Sequence, residues 1–320
     1  MREFRFSHGL ASFESYDAVA AECRRAERDG YDAVYAADHL GIPAPFPLLV
    51  AAAQATERLR VGTLVLNTEF WNPALLAREA ATADILTGGR LELGLGAGHM
   101  KWETDAAGIP WRPLRERADG LRATVEELGR LFASDGYEEQ HGVRTRFGLP
   151  SLRPVQRRGF DGHGPPLIVG GTGDRVLDIA ARYADIVSVA GIYQVEGEPP
   201  GTMRLGTAAE AGDRMRHVRQ RAGARADGIE WHTLVQTVVE TGDREAEAHR
   251  LLERFGPAMD AGELLECPFV FIGTVEEMAG QVLRQRERYG FTHYTVHGPY
   301  AEAFAPVVAR VRQLAADAPA

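Results

Sequence analysis

Arg60-Val61-Gly62-Thr63-Leu64-Val65-Leu66 reads as a β-strand, Asn72-Pro73 opens a helix after it, and Leu91-Glu92-Leu93-Gly94-Leu95 is the next strand. Asparagine caps a helix with its side-chain oxygen, and proline suits the first helical position because the N–H it lacks has no partner there. The same alternation runs outward in both directions. Upstream, Glu3–His8 and Asp32–Ala36 read as strands one and two. An amphipathic helix with Tyr16, Val19, Ala20 and Cys23 on one face lies between them, and an Ala-rich helix from about Phe46 to Glu57 follows. Downstream, Pro166–Val169, Ile186–Val189, Thr233–Val239 and His293–Val296 read as strands five to eight. Leu121, Val125, Leu128 and Phe132 mark a long helix after strand four, with further helices near Asp174–Tyr183, Ala208–Ala222, Arg244–Phe255, Val275–Tyr289 and Ala301–Ala315. Eight strands, each followed by a helix, predict one α/β domain over residues 1–320, a (β/α)8 TIM barrel. A doubly wound sheet shares the alternation, so closure is what a structure must decide. Two insertions, Ser134–Gly164 and Ala190–Thr207, are rich in Gly, Pro and charge and exceed an ordinary connection; they read as lids or binding loops.

Composition narrows the function. The 320 residues are 45% hydrophobic and carry a net charge of −9, which argues against a nucleic-acid or anionic-membrane surface. No apolar run approaches a membrane span, no secretory signal follows Met1-Arg2-Glu3, and two cysteines, Cys23 and Cys267, build no disulfide framework. The expectation is a cytoplasmic protein. Lys101 is the only lysine, so any Schiff-base or phosphate-loop lysine would have to be that one.

Barrel enzymes place their chemistry at the carboxyl ends of the strands. Four of the ten histidines fall there: His8, His39, His99 and His297 after strands one, two, four and eight. Imidazole exchanges protons near neutral pH, so their convergence points to an active site. A metal centre fits less well, because no His-x-His occurs and adjacent Asp38-His39 would point to opposite faces of an extended strand. Gly170-Gly171-Thr172-Gly173 leads from strand five into a helix, where free N–H groups and the positive helix end attract phosphate. Gly94-Leu95-Gly96-Ala97-Gly98 resembles a dinucleotide fingerprint but lacks its spacing. Asn72 is accounted for as a cap. Asn67 has no evident structural duty and reads as a ligand contact, while Phe70 and Trp71 line a pocket or cover the rim.

The assembled segments resemble the luciferase-like monooxygenase superfamily, and within it the actinobacterial oxidoreductases that use the deazaflavin coenzyme F420. The resemblance rests on Ala36-Ala37-Asp38-His39-Leu40, Leu59–Leu66, Asn72–Thr82, Gly88–Gly98, Gly170–Gly173 with Ala180–Asp185, and Phe271–Glu277. It implies a tricyclic ring across the barrel mouth, with His39 in proton transfer and Asp38 orienting its surroundings. It implies a cis peptide at Leu64-Val65 against the ring, Asn67 at the ring's polar edge, and Gly170, Gly171, Thr172 and Gly173 around the cofactor phosphate. His8, Trp71 and His297 would line the substrate pocket. The deazaflavin sugar-phosphate dehydrogenases carry a tryptophan where this chain has Ile42-Pro43, and a glutamate where it has His99, so their substrate is not transferred. His99 reads equally as a replacement acid or as a pocket wall.

The resemblance thus implies hydride transfer between F420 and a small organic substrate, in a homodimer. The alternative is an FMNH2-dependent monooxygenase fed by a partner flavin reductase. A metal-dependent barrel hydrolase and a non-catalytic binding protein stand behind these.

Overall fold

The computed structural model describes residues 2–134, 146–148, 150–255 and 259–317. Eight parallel strands, Arg5–Gly9, Ala33–Ala36, Arg60–Thr63, Leu91–Gly96, Leu167–Gly170, Ile186–Val189, Glu230–Val235 and His293–Val296, form the barrel in chain order. Closure is direct, because Arg5 pairs with His293 and Ser7 with Thr295 across the seam between the first and last strands. Helices lie between successive strands, so the fold is the expected TIM barrel rather than an open sheet. Asn72 caps the helix Pro73–Leu86, its Oδ1 accepting from Ala74 N and Leu75 N. Among the described residues no helix is long and apolar enough to cross a membrane.

Strand four shows how the sequence specifies the two faces. Leu91, Leu93 and Leu95 face the helices and are fully buried, whereas Glu92, Gly94 and Gly96 face the lumen. Glu92 lies in a polar lumen layer. It accepts from Arg5 Nη2 at 2.7 Å, Arg60 Nε at 2.5 Å and the Tyr35 hydroxyl, while Arg5 Nη1 reaches Glu230 Oε1 at 2.8 Å. Above it His232 bridges Ser188 Oγ at 2.8 Å and Thr295 Oγ1 at 2.6 Å. Each buried charge thus has a partner, which is the condition for keeping it there.

Three expectations need correction. Thr233–Val239 is two strands: the barrel strand ends at Val235, and Thr237–Glu240 leaves the barrel to pair with Val270–Gly273. Gln236 marks the break, its N–H turned to Phe269 O at 2.7 Å and its side chain to Ala190 O at 2.8 Å. Both halves are rich in β-branched residues, so periodicity does not see the change of partner. Strand three, expected as the single run Arg60–Leu66, is also interrupted: Arg60–Thr63 and Leu66–Asn67 flank the Leu64–Val65 peptide, which is cis as expected.

The third concerns the insertion Ser134–Gly164, part of which lies outside the described residues. It joins a helix to the start of a strand, which places it at the amino-terminal end of the barrel. Gln156 confirms this: it bonds Leu91 O and Arg60 Nη2 at the starts of strands four and three. The described portion therefore closes the floor and is no lid. Ala190–Thr207 follows a strand and belongs to the mouth. It folds as an antiparallel hairpin, Ile192–Gln194 with Met203–Leu205.

Candidate active site

Strand two delivers Asp38 and His39 to the carboxyl-terminal rim. Asp38 Oδ2 accepts from Trp71 Nε1 at 2.9 Å and from Asn67 N at 3.1 Å. Burial pushes its carboxyl above the ordinary value, against the lowering effect of those two bonds. His39 turns the other way. Its Nδ1 lies 2.9 Å from Glu103 Oε1, and the same oxygen accepts Leu40 N–H at 3.1 Å. Glu103 is 2% exposed and comes from the short helix Lys101–Ala106, so it approaches His39 from behind the rim. His39 Nε2 has no hydrogen-bond partner among the described residues. The His99 ring packs edge-on against His39 with centroids 5.6 Å apart. Burial first, and His39 second, push the His99 imidazole below its usual value, which favours its neutral form near pH 7.

The glycines of strand four are explained by strand three. A Cβ on Gly94 would lie 1.9 Å from Thr63 O, and one on Gly96 2.6 Å from Val65 Cγ2. At Gly98 (φ +70°) it would meet Asn67 Oδ1 at 2.4 Å. The Gly-x-Gly-x-Gly run therefore makes room for the Leu64–Val65 kink and for Asn67; it is no dinucleotide loop. Leu64 faces the lumen beside Ala33, Tyr35, Ile168 and Ile186.

Gly170–Gly173 closes strand five and leads into the helix Asp174–Tyr183, with Gly173 at the cap position and no side-chain cap. Gly171 N is bonded to Ser188 O at 3.1 Å, whereas the N–H groups of Thr172 and Gly173 take no backbone partner among the described residues. Thr172 Oγ1 donates to Ile192 O at 3.2 Å, fastening the hairpin to this turn. At the hairpin's other end, a Cβ on Gly201 would meet Met100 Sδ at 3.2 Å and His99 O at 3.9 Å. The hairpin therefore spans from the glycine turn to the His99 turn across the rim.

Three expected residues have different placements or duties, and a fourth, His297, stays at the mouth. His8 is not at the mouth. Because Arg5 and Ser7 face the lumen, His8 faces the helix layer, where it is 1% exposed, donates to Gly9 O at 2.9 Å and packs on Tyr31. Asn67 does have a structural duty: its Oδ1 accepts from Glu69 N at 3.2 Å, capping the 3-10 turn Thr68–Phe70. Trp71 is a strut, with Nε1 on Asp38 and its ring edge-on to Phe46 at 5.6 Å. His297 stands exposed on the rim, 3.3 Å from Gln236 Oε1. Sequence reasoning missed Glu103; its only signal is a carboxylate four residues after His99, in a short helix whose other charged residues, Lys101 and Asp105, pair with each other at the surface.

The family described as luciferase-like monooxygenase matches residues 3–313. Among curated proteins, an F420-dependent glucose-6-phosphate dehydrogenase of Kribbella flavida is 28% identical over 301 residues, 86% of each chain. The enzyme of the same name from Amycolatopsis mediterranei is 37% identical over 120 residues, 35% of this chain and 36% of its own length. The oxygenase component of a flavin-dependent trigonelline monooxygenase from Acinetobacter baylyi is 30% identical over 155 residues, 47% of this chain and 42% of its own. The alignments with the last two relatives thus span less than half of those proteins. Among solved structures, an F420-dependent secondary alcohol dehydrogenase in complex with an F420–acetone adduct superposes with a TM-score of 0.67 at 18% identity, covering 97% of this chain and all of that one.

Proposed function

The chain belongs to the luciferase-like monooxygenase family, and from that membership we propose that it is an oxidoreductase passing a hydride between coenzyme F420 and a small organic substrate. The observation that carries the reading is His39, an imidazole held from behind through Nδ1 with Nε2 unpartnered, on the same rim as the open amides of the glycine turn. The residues fit the group. Gly173 is exposed and its N–H takes no backbone partner among the described residues, so the turn is open to a phosphate, and the helix behind it presents a positive end. Gly170, Gly171, Thr172 and Gly173 would hold the phosphate, and Leu64 and Val65 would back the ring with Asn67 at its edge. When bound, F420 supplies the ring that accepts or gives the hydride.

This chain's residues do the rest. His39 Nε2 holds the proton that leaves or joins the substrate. Asp38 fixes Trp71 and Asn67, and through them the segment behind the ring. His99 and His297 flank the substrate, and the hairpin excludes water. The reading carries with it a homodimer in the cytoplasm.

The flavin-dependent relative favours one alternative: the same rim would take reduced FMN from a partner reductase. Titration of the purified protein with each cofactor, followed by tryptophan fluorescence, decides between them. F420 is expected to bind; tight FMN binding without F420 binding overturns the reading.

A further inference from the structure

We propose that Glu103 is the positioning residue of this site, fixing the tautomer of His39 and aiming its Nε2 into the mouth. The proposal rests on the reading of His39 as the proton-transfer group, and it adds a residue that the sequence alone did not single out. A carboxylate has no proton to donate near neutral pH, so a 2.9 Å contact to His39 Nδ1 requires the proton to be on that nitrogen. Nε2 of the neutral ring is then the atom with the free lone pair. A histidine side chain free in water favours the Nε2–H tautomer, so the arrangement has to be imposed, and Glu103 is placed to impose it. Leu40 N–H bonds the same oxygen at 3.1 Å, which ties the carboxylate to the backbone next to the histidine and leaves it little freedom.

The groups facing His39 are few. Asp38 precedes it, but its Oδ2 is occupied by Trp71 and Asn67. His99, ahead of the Lys101–Ala106 helix, presents a ring in edge contact. Arg117, from the helix Leu114–Ala133, lies behind His99 with its Nη1 bonded to Ala97 O and Gly98 O. Among the described residues Glu103 is the one carboxylate bonded to the ring. When substrate releases a proton, the Nε2 lone pair takes it, an N–H bond forms, and the new positive charge lies beside the Glu103 carboxylate. When substrate gains a proton, that N–H bond breaks and the ring returns to its neutral Nδ1–H form. In both directions the proton moves at Nε2 and Glu103 keeps its charge.

The test combines nitrogen-15 NMR of the histidine-labelled full chain, without cofactor, with kinetics of the cofactor-loaded enzyme. Wild-type His39 is expected as the Nδ1–H tautomer. Glu103→Ala is expected to return the ring toward the Nε2–H form and to lower kcat about 10–100-fold, with a much smaller change in KM. Glu103→Gln keeps an acceptor and removes the charge. With Leu40 N–H still holding that oxygen, it should keep the Nδ1–H tautomer. A wild-type His39 in the Nε2–H form overturns the proposal, as does an Nε2–H ring in Glu103→Gln, which keeps the acceptor. Wild type and Glu103→Gln decide the matter even if Glu103→Ala fails to fold. The NMR result is read without cofactor, so failure to bind F420 would count against the proposed function and leave this inference standing.

Discussion

Trp71 Nε1 and Asp38 Oδ2 are 2.9 Å apart, and the same carboxylate oxygen accepts the Asn67 N–H at 3.1 Å. One side chain at the end of strand two thus holds two points of the segment after strand three. Asp38→Ala leaves two donors without their acceptor and is expected to cost about 1–3 kcal/mol in denaturant unfolding at pH 7. Asp38→Asn keeps an acceptor and should lose much less. Burial raises the Asp38 carboxyl, so the ionised group is disfavoured in the folded state above its ordinary value. Wild type should therefore gain on Asp38→Asn as pH falls through the raised value. Equal losses in both variants at pH 7 would refute the acceptor role.

Val65 and Gly96 form a matched pair. A Cβ at 96 would lie 2.6 Å from Val65 Cγ2, so Gly96→Ala should destabilise by about 1–3 kcal/mol. Adding Val65→Ala trims the opposing side chain. The double variant should therefore cost less than the sum of the singles, by about 0.5–3 kcal/mol of coupling energy. At Gly94 the opposing atom is Thr63 O, a backbone atom that no substitution removes. Gly94→Ala should find no such rescue. Thermal unfolding of the four variants checks both statements.

Local pattern made the barrel legible. The Leu-Glu-Leu-Gly-Leu-Gly alternation of strand four states which residues face the helices and which face the lumen, and Asn72-Pro73 states where a helix begins. What local pattern could not show is which residues meet across the barrel. Arg5 finds Glu92 and Glu230, 87 and 225 positions away. His8 was misplaced because one residue of register decides the face, and only the pairing of strand one fixes it. Asn67 looked free because the 3-10 turn it caps is a single turn with no periodicity. Glu103 was invisible because a glutamate in the first turn of a helix is ordinarily a solvated charge. Only the fold brings His39, 64 positions earlier, against it.

Acid should attack the lumen layer. Burial alone would raise the Glu230 carboxyl, but His293, whose Nδ1 lies 2.8 Å away, and the Arg5 guanidinium outweigh that and hold it down at about 2. Since the folded value lies below the unfolded one, the stabilisation is complete above about pH 4.5 and is lost as pH falls toward 2. A shift of this size corresponds to about 3 kcal/mol. Glu230→Gln should lose a comparable amount at pH 7, leaving the buried Arg5 with Glu92 as its remaining counter-charge, and should show a flatter stability profile between pH 4.5 and 2. Urea unfolding across that range measures both.

His8 and His39 should separate folding from chemistry. His8 is sealed between strand one and the helix layer, so His8→Ala is expected to cost about 1–3 kcal/mol of stability yet leave F420 binding and the rate per folded molecule unchanged. Burial holds the His8 imidazole below its ordinary value, so the unfolded chain takes up its proton first on acidification. Stability then falls as pH drops below about 6.5, and His8→Ala should lose that part of the slope. His39 lies on the rim, and removing it opens no sealed cavity. His39→Ala should therefore unfold within a few degrees of wild type while its rate falls about 10²–10⁴-fold. Calorimetry and single-turnover absorbance at the cofactor band measure the two effects separately, and a rate loss in His8→Ala matching that of His39→Ala would put His8 back in the site.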